Sequence, residues 1–252
     1  MNAALRRVGG YALATVLMLV AWQLAAWLLA SPALPGPAAA FGAFAADIGG
    51  ILPHLGISTF RVVASTLLGL AVGAPLGLLL GRSPAADTVF APIVFLNYPI
   101  PKAVFLPVLL VLLGIGNLSI IVLITLIVVF QILVTARDAA RQIPEASVLS
   151  VRSLGASERQ VFRHVVIPAA MPEIFTALRI GAGTAVAVLF FSETFAGSTG
   201  LGYYVVDAWG AVQYARMFAG ILAMALLGVG MYELIELVEA RVCRWERAGR
   251  RA

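Results

Sequence analysis

The sequence is poor in charge. Among 252 residues there are 12 carboxylates and 17 Lys or Arg, so 12% of the chain is ionic. Soluble domains carry about 25%, and so few charges cannot coat a water-soluble globule of this size. A single cysteine, Cys243, excludes a disulfide-stapled scaffold. The single lysine, Lys102, has no glycine-rich run before it, so the G-x-x-x-x-G-K-[ST] phosphate loop is missing. His54 and His164 are lone histidines, no H-E-x-x-H occurs, and one thiol cannot complete a zinc site. The low-hydrophobicity, high-charge signature of a disordered chain is absent too. What is abundant is apolar side chains, 62% of the residues. The chain reads as an all-α, polytopic membrane protein without a catalytic centre.

Charge-poor apolar runs occupy residues 11–30, 59–81, 89–113, 120–136, 174–191 and 217–238. Each approaches the roughly 20 residues that cross about 30 Å of hydrocarbon, which predicts about six transmembrane helices in one domain, 1–252. Pro99, Pro101, Lys102 and Pro107 interrupt the third run, so that span is kinked or broken. The first run follows Arg6 and Arg7 like a signal peptide, but it exceeds the usual 7–15 apolar residues and is read as a retained helix.

Six spans with an inside N-terminus put both termini, the 82–88 loop and the 137–172 loop on the cytoplasmic side. Those segments hold 13 of the 17 basic residues, including Arg137 and Arg141 in the loop and Arg241, Arg244, Arg247, Arg250 and Arg251 in the tail. Arg61 and Arg216 fall near the opposite side. This is the positive-inside bias. It accounts for the net charge of +5 through anionic lipid rather than nucleic acid.

Residues 137–172 form the only long polar stretch. Pro144 and Glu145 suit a helix first turn, and Val148, Val151 and Leu154 recur every three residues. Gly155 sits where a left-handed helix stop belongs. Ser157 with Gln160 three residues on is a capping box opening a second helix. Its apolar face is Val161, Phe162, Val165 and Val166, with Arg159 and Arg163 off it, and Pro168 and Pro172 are expected to end it before the fifth span. The result is a helix–turn–helix hairpin far longer than the 2–8 residues that suffice to connect helices. It serves either as a connection resting on lipid headgroups or, the favoured reading, as a docking element for a cytoplasmic partner.

Leu154-Gly155-Ala156-Ser157, followed by Val165-Val166-Ile167-Pro168, resembles the "EAA" loop of bacterial ABC-transporter inner-membrane permeases. That loop reads E-A-A, three residues, G, nine residues, I-x-L-P. Gly155 and Pro168 match; Leu149, Ser150 and Val151 stand where E-A-A would, so the glutamate is missing, with Glu145 one turn earlier. Ser58 to Arg61, Gly114-Ile115-Gly116, Gly200-Leu201-Gly202-Tyr203 and the Trp245-containing basic tail are similar to the nitrate/sulfonate/taurine-type permeases. The resemblance implies a MetI-like ABC permease fold, and alternating access driven by two cytoplasmic ATPase subunits that bind the ATP; no cofactor is expected in this chain. It implies an extracytoplasmic solute-binding protein as a further partner. It places Leu149, Arg152, Gly155, Ala156, Ser157, Arg159 and Gln160 at or near the ATPase contact. A homodimer is the default; the departure at Leu149 keeps open pairing with a homologous permease that carries the glutamate. The implied solute is a small anion (nitrate, alkanesulfonate, taurine) or a thiamine-precursor-like heterocycle.

Ionisable groups inside spans are costly and mark functional sites. Lys102 either lines the pathway, snorkels to an interface, or pairs with a carboxylate to hold the kink. Glu193, which aligns with a family carboxylate, is a gate, a bundle salt bridge or a helix-end residue. Asn97 is a further pathway candidate, although Asn97 and Gln131 also suit interhelical hydrogen bonding. Glu233, Glu236 and Glu239 read as a solvated or arginine-paired face. A self-sufficient secondary transporter would need coupling carboxylates and internal repeats, and a membrane-embedded enzyme an acid–base or metal cluster. The sequence displays neither.

Overall fold

The structure is a computed structural model that describes residues 3–245. Arg247, Arg250 and Arg251 of the basic tail, and the side chains of Arg6 and Arg7, lie outside the described residues. Among the described residues eleven α-helices run in the order α1 (Ala3–Leu29), α2 (Pro37–Ala46), α3 (Ile48–Arg82), α4 (Pro84–Asn97), α5 (Leu106–Leu113) and α6 (Asn117–Arg141). They continue as α7 (Glu145–Arg152), α8 (Glu158–Val161), α9 (Ile167–Ala196), α10 (Leu201–Gly210) and α11 (Tyr214–Val242). No strand occurs among the described residues.

Among the described residues five helices are long and apolar enough to span a membrane: α1, α3, α6, the continuous α8–α9 rod and α11. The sixth candidate is a broken span, α4 followed by a 3-10 turn (Lys102–Phe105) and α5, bent by 77°. The break falls at Tyr98-Pro99-Ile100-Pro101, where two prolines withdraw backbone donors and bias their predecessors away from helix.

Two expectations fail at helix ends. The second span begins at Ile48 rather than residue 59, so Arg61 lies well inside α3. Pro168 and Pro172 do not end the second hairpin helix, because residues 158–196 form one rod. Pro168 occupies the first turn of α9, directly after a π-helical turn, Phe162–Val166. That wider turn absorbs the hydrogen-bond register which the proline ring disrupts. Thr176 Oγ1 donates to the Pro172 carbonyl at 3.1 Å.

The core is built on α3, α6 and α9. Helices α3 and α6 approach closely because Gly69, Gly73, Gly77 and Gly81 recur every four residues on one face of α3, a chain of G-x-x-x-G units. A Cβ on Gly73 would lie 2.7 Å from the Val129 carbonyl oxygen, and Cβ atoms on Gly77 and Gly81 would collide with the carbonyls of Leu133 and Arg137. Backbone cannot yield as a flexible side chain does. Gly77→Ala is therefore expected to destabilise the bundle by about 1–3 kcal/mol through overpacking, measured as a lower thermal midpoint in detergent. Gly56→Ala, on the same helix with nothing within 4 Å of the new methyl, is the control. It is expected to be neutral or stabilising by up to about 1 kcal/mol.

The first helix is peripheral. None of its apolar window is buried. Trp22 anchors it, donating Nε1–H to the Pro35 carbonyl at 3.0 Å and stacking on Phe218 of α11 at 5.5 Å.

Candidate functional site

The hairpin predicted between the fourth and fifth spans is present. Helix α6 turns at Gln142-Ile143-Pro144 into α7, and Ser153 to Ala156 reverse the chain into α8. Gly155 has φ +85°, the left-handed conformation expected of the stop. Gln160 Oε1 accepts the Ser157 backbone N–H at 2.8 Å and its hydroxyl at 2.9 Å, closing the capping box. Val148, Val161 and Val166 are buried in the main core together with Ile143 and Ala140, and Ala156 packs against it. The hairpin is thus keyed into both rods that continue from it.

The outer face is different. Leu154 is 86% exposed and Leu149 54%, two apolar side chains at the tip of an otherwise polar element. Arg159 is exposed beside them, and Arg152 pairs across the turn with Glu158. That exposed pair is worth little. Ser157 and Gln160 spend their polar atoms on the cap, and Pro168 lies in the rod rather than on the hairpin surface.

At this same end Asp87, near the start of α4, accepts from Arg137 Nη2 at 2.8 Å and Arg141 Nη1 at 2.9 Å. Arg137 also donates to Asp138 at 2.8 Å and lies 5.2 Å from the Phe95 ring centroid. Arg137, expected against lipid headgroups, is in fact buried. The cluster ties the broken span to the last turn before the hairpin.

The opposite end holds a polar network that sequence reading caught only in part. Glu193 is fully buried in α9, and its partner is Arg61, also buried, with Nη1 2.7 Å from Oε1. Ser58 Oγ lies 2.8 Å from the same oxygen, and the Gly202 N–H donates to Oε2 at 2.8 Å. Arg61 also donates from Nε to Asn117 Oδ1 at 2.9 Å and from Nη1 to the Thr199 carbonyl at 2.9 Å. The Leu201 N–H donates to Ser58 Oγ at 2.8 Å, and the Gly200 N–H to His54 Nδ1 at 3.0 Å. Glu193 thus forms a buried salt bridge with Arg61 that joins α9 to α3.

Geometry explains the Gly200-Leu201-Gly202 motif. Gly200 has φ +111°, and any Cβ there would strike the Glu193 carboxyl. A Cβ on Gly202 would lie 2.6 Å from the Phe190 carbonyl oxygen. The signal that could have found the network is periodic. His54, Ser58, Arg61 and Ser65 recur at i, i+4, i+7 and i+11, one polar face of an otherwise apolar helix.

A second cluster on this end joins α2, α10 and α11. Tyr204 Oη donates to Asp47 Oδ2 at 2.8 Å, and Arg216 Nε to the same oxygen at 3.1 Å. The tyrosine hydrogen bond, seconded by Arg216, holds the Asp47 carboxyl below its ordinary value of 3.8. Burial, then the neighbouring carboxylate, pushes the Tyr204 phenol up to about 12. A lowered folded-state pKa stabilises the fold above the unfolded value and is lost as pH falls through the folded value. Tyr204→Phe is accordingly expected to cost about 0.5–1.5 kcal/mol at neutral pH. The thermal midpoints of variant and parent should converge as pH drops below the carboxylate range.

Lys102 sits half-buried at the break in the third span. Its Nζ donates to the Tyr98 carbonyl at 2.9 Å and to the Asn97 carbonyl, and lies 4.6 Å from the Phe130 ring centroid. It holds the kink through carbonyls at a helix C-terminus, not through a carboxylate. Asn97 is exposed and donates Nδ2–H to the Ile93 carbonyl of its own helix at 2.9 Å, so it does not bridge helices. Gln131 does, reaching Thr184 of α9 with Nε2 at 3.3 Å. Arg179 and Glu239 pair at 3.0 Å between α9 and α11. Among the described residues no group of three or more His, Cys, Asp or Glu is arranged to hold a metal.

Residues 73–244 match the family described as binding-protein-dependent transport system inner membrane component. The taurine transport system permease protein of Escherichia coli K12 is 31% identical over 192 residues, 76% of this chain and 70% of that protein. The nitrate import permease protein of Synechocystis is 28% identical, covering 78% of this chain and 73% of that protein. A putative aliphatic sulfonates transport permease protein of Bacillus subtilis is also 28% identical, with 79% and 72% covered. In fold, a chain of the inward-facing MetNI methionine ABC transporter superposes with TM-score 0.64 at 22% identity, over 78% of this chain and 97% of that one.

Proposed function

We propose, on the premise that the chain belongs to the family of binding-protein-dependent transport system inner membrane components, that its hairpin is the contact through which cytoplasmic ATPase subunits drive transport. The chain is a membrane permease of an ABC importer, not an enzyme. In the proposed assembly two permease copies enclose the pathway, two ATPase subunits bind ATP and seat against the two hairpins, and an extracytoplasmic binding protein delivers solute. Both termini and the hairpin then face the cytoplasm, as the positive-inside bias requires. The whole of 1–252 works as one permease domain.

One observation carries the reading: an exposed apolar tip, Leu149 and Leu154, on a self-capped hairpin whose inner face is locked into the core. Such a tip has no use against water and gains from burial in a partner cleft. Leu149 stands where the family pattern has glutamate, so the proposed contact is more apolar there, and Arg152, Gly155, Ala156, Ser157, Arg159 and Gln160 complete or shape it. The relatives named for taurine, sulfonate and nitrate support a small anion as solute.

The experiment is co-purification with the cognate ATPase. Leu149→Asp with Leu154→Asp should abolish recovery of the ATPase, since each buried leucine contributes about 1.5–3 kcal/mol. The thermal midpoint of the permease alone should stay unchanged. Undiminished recovery would refute the docking role.

A further inference from the structure

Beneath the bend of the third span lies a cavity of about 350 Å³, bounded by Tyr98, Lys102, Phe130, Gln131, Thr184 and Val188. Its position is central. Gln131 is 14 residues along α6, about 21 Å from that helix's start at 1.5 Å per residue. The cavity is lined by the broken span and by both rods that continue into the hairpin, α6 and α9.

Its donors are incompletely used. An ammonium has three N–H groups, and Lys102 gives two of them to the carbonyls of Asn97 and Tyr98. The Gln131 Nε2 has two, one of them directed to Thr184. Gln131 Oε1 is buried and accepts no hydrogen bond from the described residues. An anion cannot satisfy that acceptor, so an anion bound here meets the Nε2 edge of the carboxamide instead. No described carboxylate lines the cavity, so the cation is not neutralised there.

We propose that this cavity is a station on the solute path that holds a compact monoanion, a sulfonate or nitrate group, between the Lys102 ammonium and the second Nε2–H of Gln131, whose carboxamide is oriented by Thr184. The inference rests on the permease reading and deepens it. The ammonium lies 5.8 Å from the Tyr98 ring centroid and 4.6 Å from that of Phe130. Movement of α6 and α9 with the hairpin changes the distance between Lys102 on one wall and Gln131 and Thr184 on the others, so binding and release are coupled to the same levers.

Lys102 is the only lysine in the chain, so an amine-reactive probe has a single side-chain target. The purified full-length permease in lipid nanodiscs is acetylated with N-succinimidyl acetate, and the peptide holding Lys102 is followed by mass spectrometry. The N-terminal amine serves as internal reference. Ethanesulfonate and nitrate, each tested against chloride and gluconate at matched ionic strength, should slow Lys102 acetylation saturably while leaving the terminal amine unaffected. The arm that protects at lower concentration identifies the preferred anion class. Gln131→Leu with Thr184→Val should weaken protection by about tenfold or more, the worth of a charge-assisted hydrogen bond. Acetylation that is indifferent to both anions, slowed equally by every salt, or absent from Lys102 altogether would overturn the proposal. If the ATPase still co-purifies through the hairpin in that case, only the station fails; loss of both indicts the permease reading itself.

Discussion

Glu193→Ala is expected to lower the stability of the bundle by about 3–5 kcal/mol, because it strands a buried guanidinium. Arg61 is 1% exposed. Without Glu193 it retains Asn117 and the Thr199 carbonyl and hydroxyl, neutral acceptors that cannot compensate a charge out of water. The same loss frees the Gly202 N–H and the Ser58 hydroxyl proton, so α10 loses its hydrogen bond to α9 while Thr199, Gly200 and Leu201 keep theirs to α3. Arg61→Met combined with Glu193→Leu removes both charges and is expected to recover most of the loss, since paired burial of ions is close to neutral against apolar replacements. Thermal unfolding of the two single variants and the double closes a mutant cycle. Additive single effects would mean that the two groups are not the mutually dependent pair the geometry describes.

Gly155→Val is the second large effect, and it falls on transport rather than on folding. A Cβ there meets nothing within 4 Å, so the substitution creates no clash. Its whole cost is conformational: φ +85° is a region that a β-branched residue enters only with strain of about 1–3 kcal/mol. The cheapest relief is local. Ser153 to Ala156 relax to another turn, and the exposed Leu154 is displaced from its place on the hairpin. Uptake by the complete transporter is therefore expected to fall by about tenfold or more, with the permease still folded. Gly155→Asn, which tolerates the left-handed conformation, should keep most of the uptake. If valine and asparagine behave alike, the turn's conformation does not position the docking surface.

Much of this was legible in the chain before any coordinates. Ser157 and Gln160 at capping-box spacing, Gly155 at the stop and the alternating valines encode the hairpin locally, and local encoding is what periodicity reads well. The bend at Pro99 and Pro101 was legible for the same reason. The prolines at 168 and 172 misled because a π turn and a membrane-type bundle tolerate what an isolated soluble helix does not. The glycines at four-residue intervals on α3 were visible but unread, since their meaning depends on α6, which supplies the carbonyls they approach. The Arg61–Glu193 pair joins residues 132 apart in sequence, and no local pattern announces such a contact. Only the i, i+4, i+7 polar face hinted at half of it.

The claim that everything else depends on is that the tip between α7 and α8 touches the ATPase. It is tested most directly by a cross-link from that tip. With Cys243→Ser removing the native thiol, Leu154→Cys gives the permease a single reactive site, which a short maleimide–diazirine reagent alkylates; the membrane-embedded transporter is then irradiated with and without ATP, so that the carbene inserts into whatever lies against the tip. The expected product is one covalent adduct, permease to ATPase, mapped to the peptide holding residue 154 and changing in yield with nucleotide. Capture of lipid or detergent alone at that position, in a transporter that still takes up solute at full rate, would contradict it.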